Sequence, residues 1–137
     1  MGVLIDTNVI SELRKGSRCN PKVAAWQRTV TDTESFVSAI TMMELRHGIL
    51  IAKRKDPDFA GLLEEWYERQ VKAAFINRVI PIDLLVSEEC SSVMSRRTRS
   101  LADALIAATA RVHGLILATR NVDDFADCGL SIVNPWN

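Results

Sequence analysis

Residues 3–13 read VLIDTNVISEL, and this stretch decides how the rest of the chain is read. Three apolar residues, Val3 to Ile5, run into a single carboxylate, Asp6, followed by two small polar residues, Thr7 and Asn8, and then by apolar residues again. A short apolar run bounded in this way reads as a buried strand, with Thr7 or Asn8 capping a helix that VISELRKG begins and Gly16 ends. Asp6 therefore stands where a buried strand gives way to a helix. In α/β proteins sites gather at that kind of junction.

The alternation continues along the chain. Pro21 opens a second helix reaching about Val30, and SFVSAI (35–40) is the next strand. Thr41 starts a long helix, MMELRHGILIAKRK, broken at Asp56-Pro57 before FAGLLEEWYERQVKAAF (59–75), so the two form a hairpin. RVIPID (78–83) is a third strand, ended by Pro81, and LLVSEECSSVMSRR (84–97) has apolar residues near helical spacing. Ser100 caps LADALIAATARVHG, which Gly114 closes; LILAT (115–119) is a strand, VDDFADCG a helical turn and LSIV (130–133) a last strand. Strands separated by helices predict a mainly parallel central sheet covered on both faces, the three-layer α/β/α class. The pattern does not give the strand order.

Three acids are isolated in apolar surroundings. Asp6 is the only charge between Gly2 and Ser11, Glu44 the only one from Ser35 to Leu45, and Asp103 the only one from Ser100 to Ala110. Each lies just after a strand or in the first turn of a helix, with no Lys or Arg of its own segment to compensate it. Capping is the competing explanation: Thr41-x-x-Glu44, Ser100-x-x-Asp103 and Asn121-x-x-Asp124 all have the form of a capping box. Capping does not explain why the helix of Asp103 is apolar nearly all round, as a helix packed on several sides is. If the junctions share one edge of a parallel sheet, Asp6, Glu44, Asp103 and Asp124 converge. Clustered carboxylates need a cation to stay ionised, and an all-oxygen set suits Mg²⁺ or Mn²⁺. Asp123 and Asn121 compete with Asp124 for the fourth position.

Composition narrows the remaining choices. The chain has 137 residues, which fits one domain, 1–137, and its 17 basic and 17 acidic side chains cancel, so any polyanion site is a local patch. Arg96, Arg97 and Arg99 before the Asp103 helix, and Lys53 to Lys55 at the end of the Glu44 helix, read as solvated faces or, beside a metal, as supports for a phosphate backbone. Cys19, Cys90 and Cys128 are odd in number and widely spaced, which fits reduced thiols in a cytoplasmic protein. No membrane span or secretory signal is expected. His47 and His113 read as helix-surface residues, and Trp26, Trp66 and Trp136 as core or interface anchors.

Four motifs in order, LIDTNVISEL, SAITMMELRHGI, LADALIAATA and LATRNVDDF, followed by VNPW, carry a resemblance across nearly the whole chain. It resembles the PIN-domain ribonucleases of the bacterial VapC-type toxin group, in the branch of the FitAB toxin. The resemblance implies a metal-dependent endoribonuclease that acts as the toxin of a type II toxin–antitoxin pair. It carries the catalytic and metal-binding roles onto Asp6, Glu44, Asp103 and Asp124, and supporting polar roles onto Thr7, Asn8, Thr119 and Asn121. Metal-activated water would attack RNA in line, leaving 5′-phosphate and 3′-hydroxyl ends. The resemblance further implies a homodimer and a small antitoxin, with a larger assembly forming on operator DNA through the antitoxin. The antitoxin's tail is expected in an apolar groove beside the helical hairpin.

Two other functions start from the same residues. A phosphohydrolase of the haloacid-dehalogenase type would use Asp6 as covalent nucleophile, but such enzymes usually carry a second Asp two positions on, where this chain has Asn8. A non-catalytic nucleic-acid or protein-binding domain of the same fold would keep the acids without the cleavage.

Overall fold

The computed structural model describes residues 2–137. Five short strands, β1 (Val3–Ile5), β2 (Ser35–Ser38), β3 (Val79–Ile80), β4 (Ile116–Ala118) and β5 (Ile132–Val133), form one sheet in the order β3-β2-β1-β4-β5. Every pairing is parallel, with Leu4 opposite Phe36 on one side and Leu117 on the other. The helices are α1 (Thr7–Leu13), α2 (Pro21–Gln27), α3 (Ala39–Lys55), α4 (Pro57–Trp66), α5 (Lys72–Ala74), α6 (Leu84–Arg96), α7 (Leu101–His113) and α8 (Val122–Phe125).

Successive side chains of a strand point to opposite faces, and this divides the interior in two. Val3 and Ile5 join Val9, Ile10, Val23, Val37, Leu45, Ile49 and Tyr67 on the face covered by α1 to α5. Leu4, between them, joins Val86, Val93, Ala104, Ile106, Ala108, Leu117 and Phe125 on the face covered by α6 to α8. The three-layer expectation holds, and the near-continuous burial of β1 is what a strand covered on both faces requires. Gly114 stands at φ +63° after α7, so the left-handed cap there falls on the residue that tolerates it.

Local boundaries correct several expectations. The cap of α1 is Asp6 itself, whose side chain accepts from Thr7 N, and the helix ends at Leu13, before Gly16. The strand expected over 35–40 stops at Ser38, because the Ser38 hydroxyl accepts from Ile40 N and starts α3 two residues early. Glu44 consequently lies in the second turn, and the proposed Thr41 cap is absent. The helix from Pro21 stops at Gln27, and the later strands are two or three residues long. The helical hairpin holds: Glu64 of α4 takes Arg46 at 2.9 Å and Lys53 at 3.3 Å from α3.

Candidate active site

Both neighbours of β1 are reached by crossovers that run in opposite directions, so the sheet opens a crevice at the carboxyl end of β1. Asp6 occupies that point. It is 4% exposed, and three donors hold its carboxylate: Thr7 N at 2.7 Å on Oδ1, and the Thr119 hydroxyl at 2.7 Å and Asn8 Nδ2 at 3.3 Å on Oδ2. Thr119 directly follows β4, so the two strands meet at this carboxylate. Burial pushes the Asp6 pKa up to about 6; the bonds from Thr119 and Thr7 oppose the rise, and the charges of Asp103 and Glu44 add to it.

Glu44 reaches the same place from α3. The Thr7 hydroxyl donates to Glu44 Oε1 at 2.6 Å, and Thr41 Oγ1 lies 3.1 Å from that hydroxyl. A hydroxyl has one proton to give, so Thr7 donates to Glu44 and receives from Thr41. Thr7 thus serves both acids, Asp6 through its backbone and Glu44 through its side chain. Thr41 is a supporting residue that sequence reading treated only as a helix start. Its signal was the spacing to Glu44, since positions i and i+3 share a helix face.

Asp103 enters from the first turn of α7. Ser100 caps the helix, its hydroxyl accepting from Asp103 N at 3.1 Å. Among the described residues the reciprocal bond from Ser100 N to the Asp103 carboxylate is absent, so the capping box is only half formed. Burial raises the Asp103 pKa and the charge of Asp124 adds to the rise, while Ser100 and Arg99 oppose it. Asp124 is thus near enough to Asp103 for its charge to be felt there. The Asn121 side chain makes no cap bond to α8, so that box does not form either.

Residues 3–129 match the family model described as PIN domain. The chain belongs to the PIN-domain family. Over 98% of its length it is 38% identical to the VapC ribonuclease Y4jK of Sinorhizobium fredii, covering 97% of that protein. It is 33% identical to Toxin FitB of Neisseria gonorrhoeae, covering 98% of this chain and 99% of that one. The crystal structure of FitAcB from Neisseria gonorrhoeae superposes with a TM-score of 0.89 at 32% identity, over 98% of this chain and 99% of that chain.

In this PIN domain Arg96 and Arg97 are exposed, as a solvated run is, whereas the Arg99 side chain is buried. All three donate to the segment that carries Asp124. Arg96 donates to Asp127 O (2.9 Å), Arg97 to Asp123 O (3.0 Å), and Arg99 to Asp124 O (3.2 Å), Cys128 Sγ (2.7 Å) and Asp127 Oδ2 (2.5 Å). The Arg99 side chain is 3% exposed. It straps α8 and the following turn against the start of α7, which fixes Asp124 relative to Asp103.

The PIN acids suit a hard divalent cation by their chemistry. Among the described residues none of Asp6, Glu44 and Asp103 forms an ion pair with a Lys, Arg or His, although Asp6 is buried and feels the charges of Asp103 and Glu44. The same described residues contain no group of three or more His, Cys, Asp or Glu side chains placed closely enough to hold a metal ion by themselves. Asp124 is half exposed and stands 4.0 Å from Arg97. Elsewhere, His47 and His113 are exposed, the three cysteines are free and buried, and no described helix is long and apolar enough to cross a membrane. A cleft of about 240 Å³ lies between α1, α2 and the end of the hairpin, lined by apolar Ile10, Leu13, Trp66 and Phe75 and by polar Asp32 and Arg78.

Proposed function

We propose that this chain is a divalent-metal-dependent endoribonuclease acting as the toxin of a type II toxin–antitoxin module. The observation that carries the reading is the buried, uncompensated Asp6, with Glu44 and Asp103 near enough to raise its pKa and no basic side chain paired with any of the three. Mg²⁺ or Mn²⁺ at these acids would activate water and neutralise charge on a scissile phosphate. Mg²⁺ commonly keeps several waters and uses one or two carboxylates together with substrate phosphate oxygens, so an open arrangement of acids suits it better than a closed cage.

In this reading each residue has a defined task. Asp6, held by Thr119, Thr7 and Asn8, is the fixed ligand. Glu44 is aimed by Thr7, Asp103 is presented by the first turn of α7, and Asp124 is set by the Arg99 strap. The relatives named VapC ribonuclease and FitB toxin support the activity. Solved relatives include a FitAB complex bound to a DNA fragment, which supports an antitoxin partner and an assembly on DNA. The cleft beside the hairpin is the proposed seat for the antitoxin's tail, and a cytoplasmic homodimer completes the reading. The phosphatase alternative loses ground, because Asn8 occupies the position of its second acid and three donors hold the Asp6 carboxylate in place.

The test is the chemistry of the products. Purified protein incubated with RNA and Mg²⁺ or Mn²⁺ should leave 5′-phosphate ends, and EDTA should stop the reaction. Products ending in 2′,3′-cyclic phosphate that persist in EDTA would reject this function.

A further inference from the structure

A polar cleft of about 500 Å³ opens beside the acids, lined by Arg120, Asn121, Asp123, Asp124, Asn134 and Asn137. Its near wall hangs on the groups that hold Asp6. Asn121 N donates to the Thr119 hydroxyl at 3.0 Å, and that hydroxyl donates to Asp6 Oδ2. Arg120 N donates to Asn8 Oδ1 at 3.3 Å, and Asn8 donates to the same carboxylate. Asp124 belongs to both the cleft and the acid group. A molecule seated here would stand at a fixed offset from a phosphate held at Asp6.

The far wall is equally ordered. Asn134 Oδ1 accepts from Trp136 N at 3.0 Å, which orients the amide and leaves both its N–H donors free. Arg120 lies over the Trp136 ring, 5.1 Å from its centre, so the guanidinium plane is backed by an aromatic face. Among the described residues no group bonds the side-chain amide nitrogens of Asn121, Asn134 or Asn137. The cleft therefore offers amide donors and acceptors, the Asp123 carboxylate as an acceptor for an exocyclic amine, and a flat cation for stacking. Those are the features that read an unstacked nucleobase in single-stranded RNA. Of the neighbouring arginines, the buried Arg99 is taken up by the 123–128 segment.

We propose that this cleft binds the nucleobase next to the scissile phosphate and sets the base preference of cleavage, an inference that rests on the RNA-cleaving function proposed above. The first measurement uses a randomised RNA pool, with Mn²⁺ and sequencing of the new 5′-phosphate ends. The parent should show a preference for one base at one position beside the cut. Asn134→Ala with Asn137→Ala should flatten that preference and lower kcat/KM on a preferred oligonucleotide about tenfold, mostly through KM, as losing one good base contact does. Asn134→Asp keeps the acceptor for Trp136 N, and with it the turn, but replaces the free donors with an acceptor, so it should change which base is preferred. The second measurement is independent of cleavage. Titrating the parent with each of the four nucleoside 5′-monophosphates should shift the side-chain amide NMR signals of Asn134 and Asn137, more for one base than for the others. Cleavage without base preference, or a preference that survives both variants, would overturn the inference. So would a preference that survives while antitoxin inhibition is lost, which would assign the cleft to the protein partner. Amide shifts in a parent that cuts no RNA would instead support the cleft and defeat the ribonuclease reading.

Discussion

The Thr119 hydroxyl donates to Asp6 Oδ2 over 2.7 Å, joining the ends of two adjacent parallel strands that are 113 residues apart in sequence. Thr119 is fully buried, and its hydroxyl also receives Asn121 N, so one side chain sets both the Asp6 carboxylate and the turn toward α8. Thr119→Val keeps the shape and removes the bond. It should destabilise the protein by about 1–2 kcal/mol, because a buried carboxylate loses a donor. It should also raise the Asp6 pKa above about 6, since this bond is what pulls it down most. In EDTA the Asp6 carboxyl, followed by NMR, should titrate at higher pH in the variant; an unchanged titration would show that Thr119 does not tune Asp6.

The Asp6 carboxyl makes stability depend on pH in a defined direction. Its pKa is about 6 in the fold against 3.8 for the ordinary group, so between those values the folded state holds more protons than the unfolded one. The Asp6 contribution to stability is therefore fully present below about pH 4 and falls as pH rises to about 6. Two pKa units correspond to about 3 kcal/mol. In EDTA, the stability of the parent minus that of Asp6→Asn should decrease by up to that amount from pH 4 to pH 7. Denaturant titrations across this range check it, and a difference that stays flat or increases contradicts it.

Arg99 provides a test of the strap. Arg99→Met removes bonds to Asp124 O, Cys128 and Asp127, and should lower stability by about 2 kcal/mol, discounted because Asp127 is one-third exposed. Lys should not rescue it, because one ammonium cannot replace the planar fork. Lys55→Met, on the exposed end of α3, should change stability by no more than about 0.5 kcal/mol. Thermal unfolding of the three variants decides whether Arg99 is internal structure or solvated surface.

Isolation in apolar sequence made Asp6, Glu44 and Asp103 legible, because an uncompensated charge in a buried segment needs a reason. The alternation of strands and helices likewise carried the three layers. The central place of β1 was not legible: strand order depends on which edges pair, and β1 has buried residues that suit any interior position. The burial of Arg99, beside the exposed Arg96 and Arg97, was not legible for a similar reason. A cluster of cations has the same composition whether it faces water or the carbonyls of residues 123–127, and only the tertiary approach of α8 distinguishes the two. Thr41 was misplaced because Ser38, also a good cap, came first in the chain.

Asp103 offers the most direct test of the claim that these acids form a metal site. Ser100 already caps α7, and the half-formed box leaves the Asp103 carboxylate raised in pKa by burial and by Asp124. Asp103→Asn removes one of the repelling charges and keeps the shape, so in EDTA at pH 7 the variant should melt at the parent's temperature or higher, gaining up to about 1 kcal/mol. Mg²⁺ or Mn²⁺ should then raise the melting temperature of the parent and do little for the variant, since a ligand of the folded state stabilises only where it binds. RNA cleavage should be lost in the same variant. A variant that melts clearly lower in EDTA, yet gains as much from metal as the parent does, would contradict the metal-site account of Asp103.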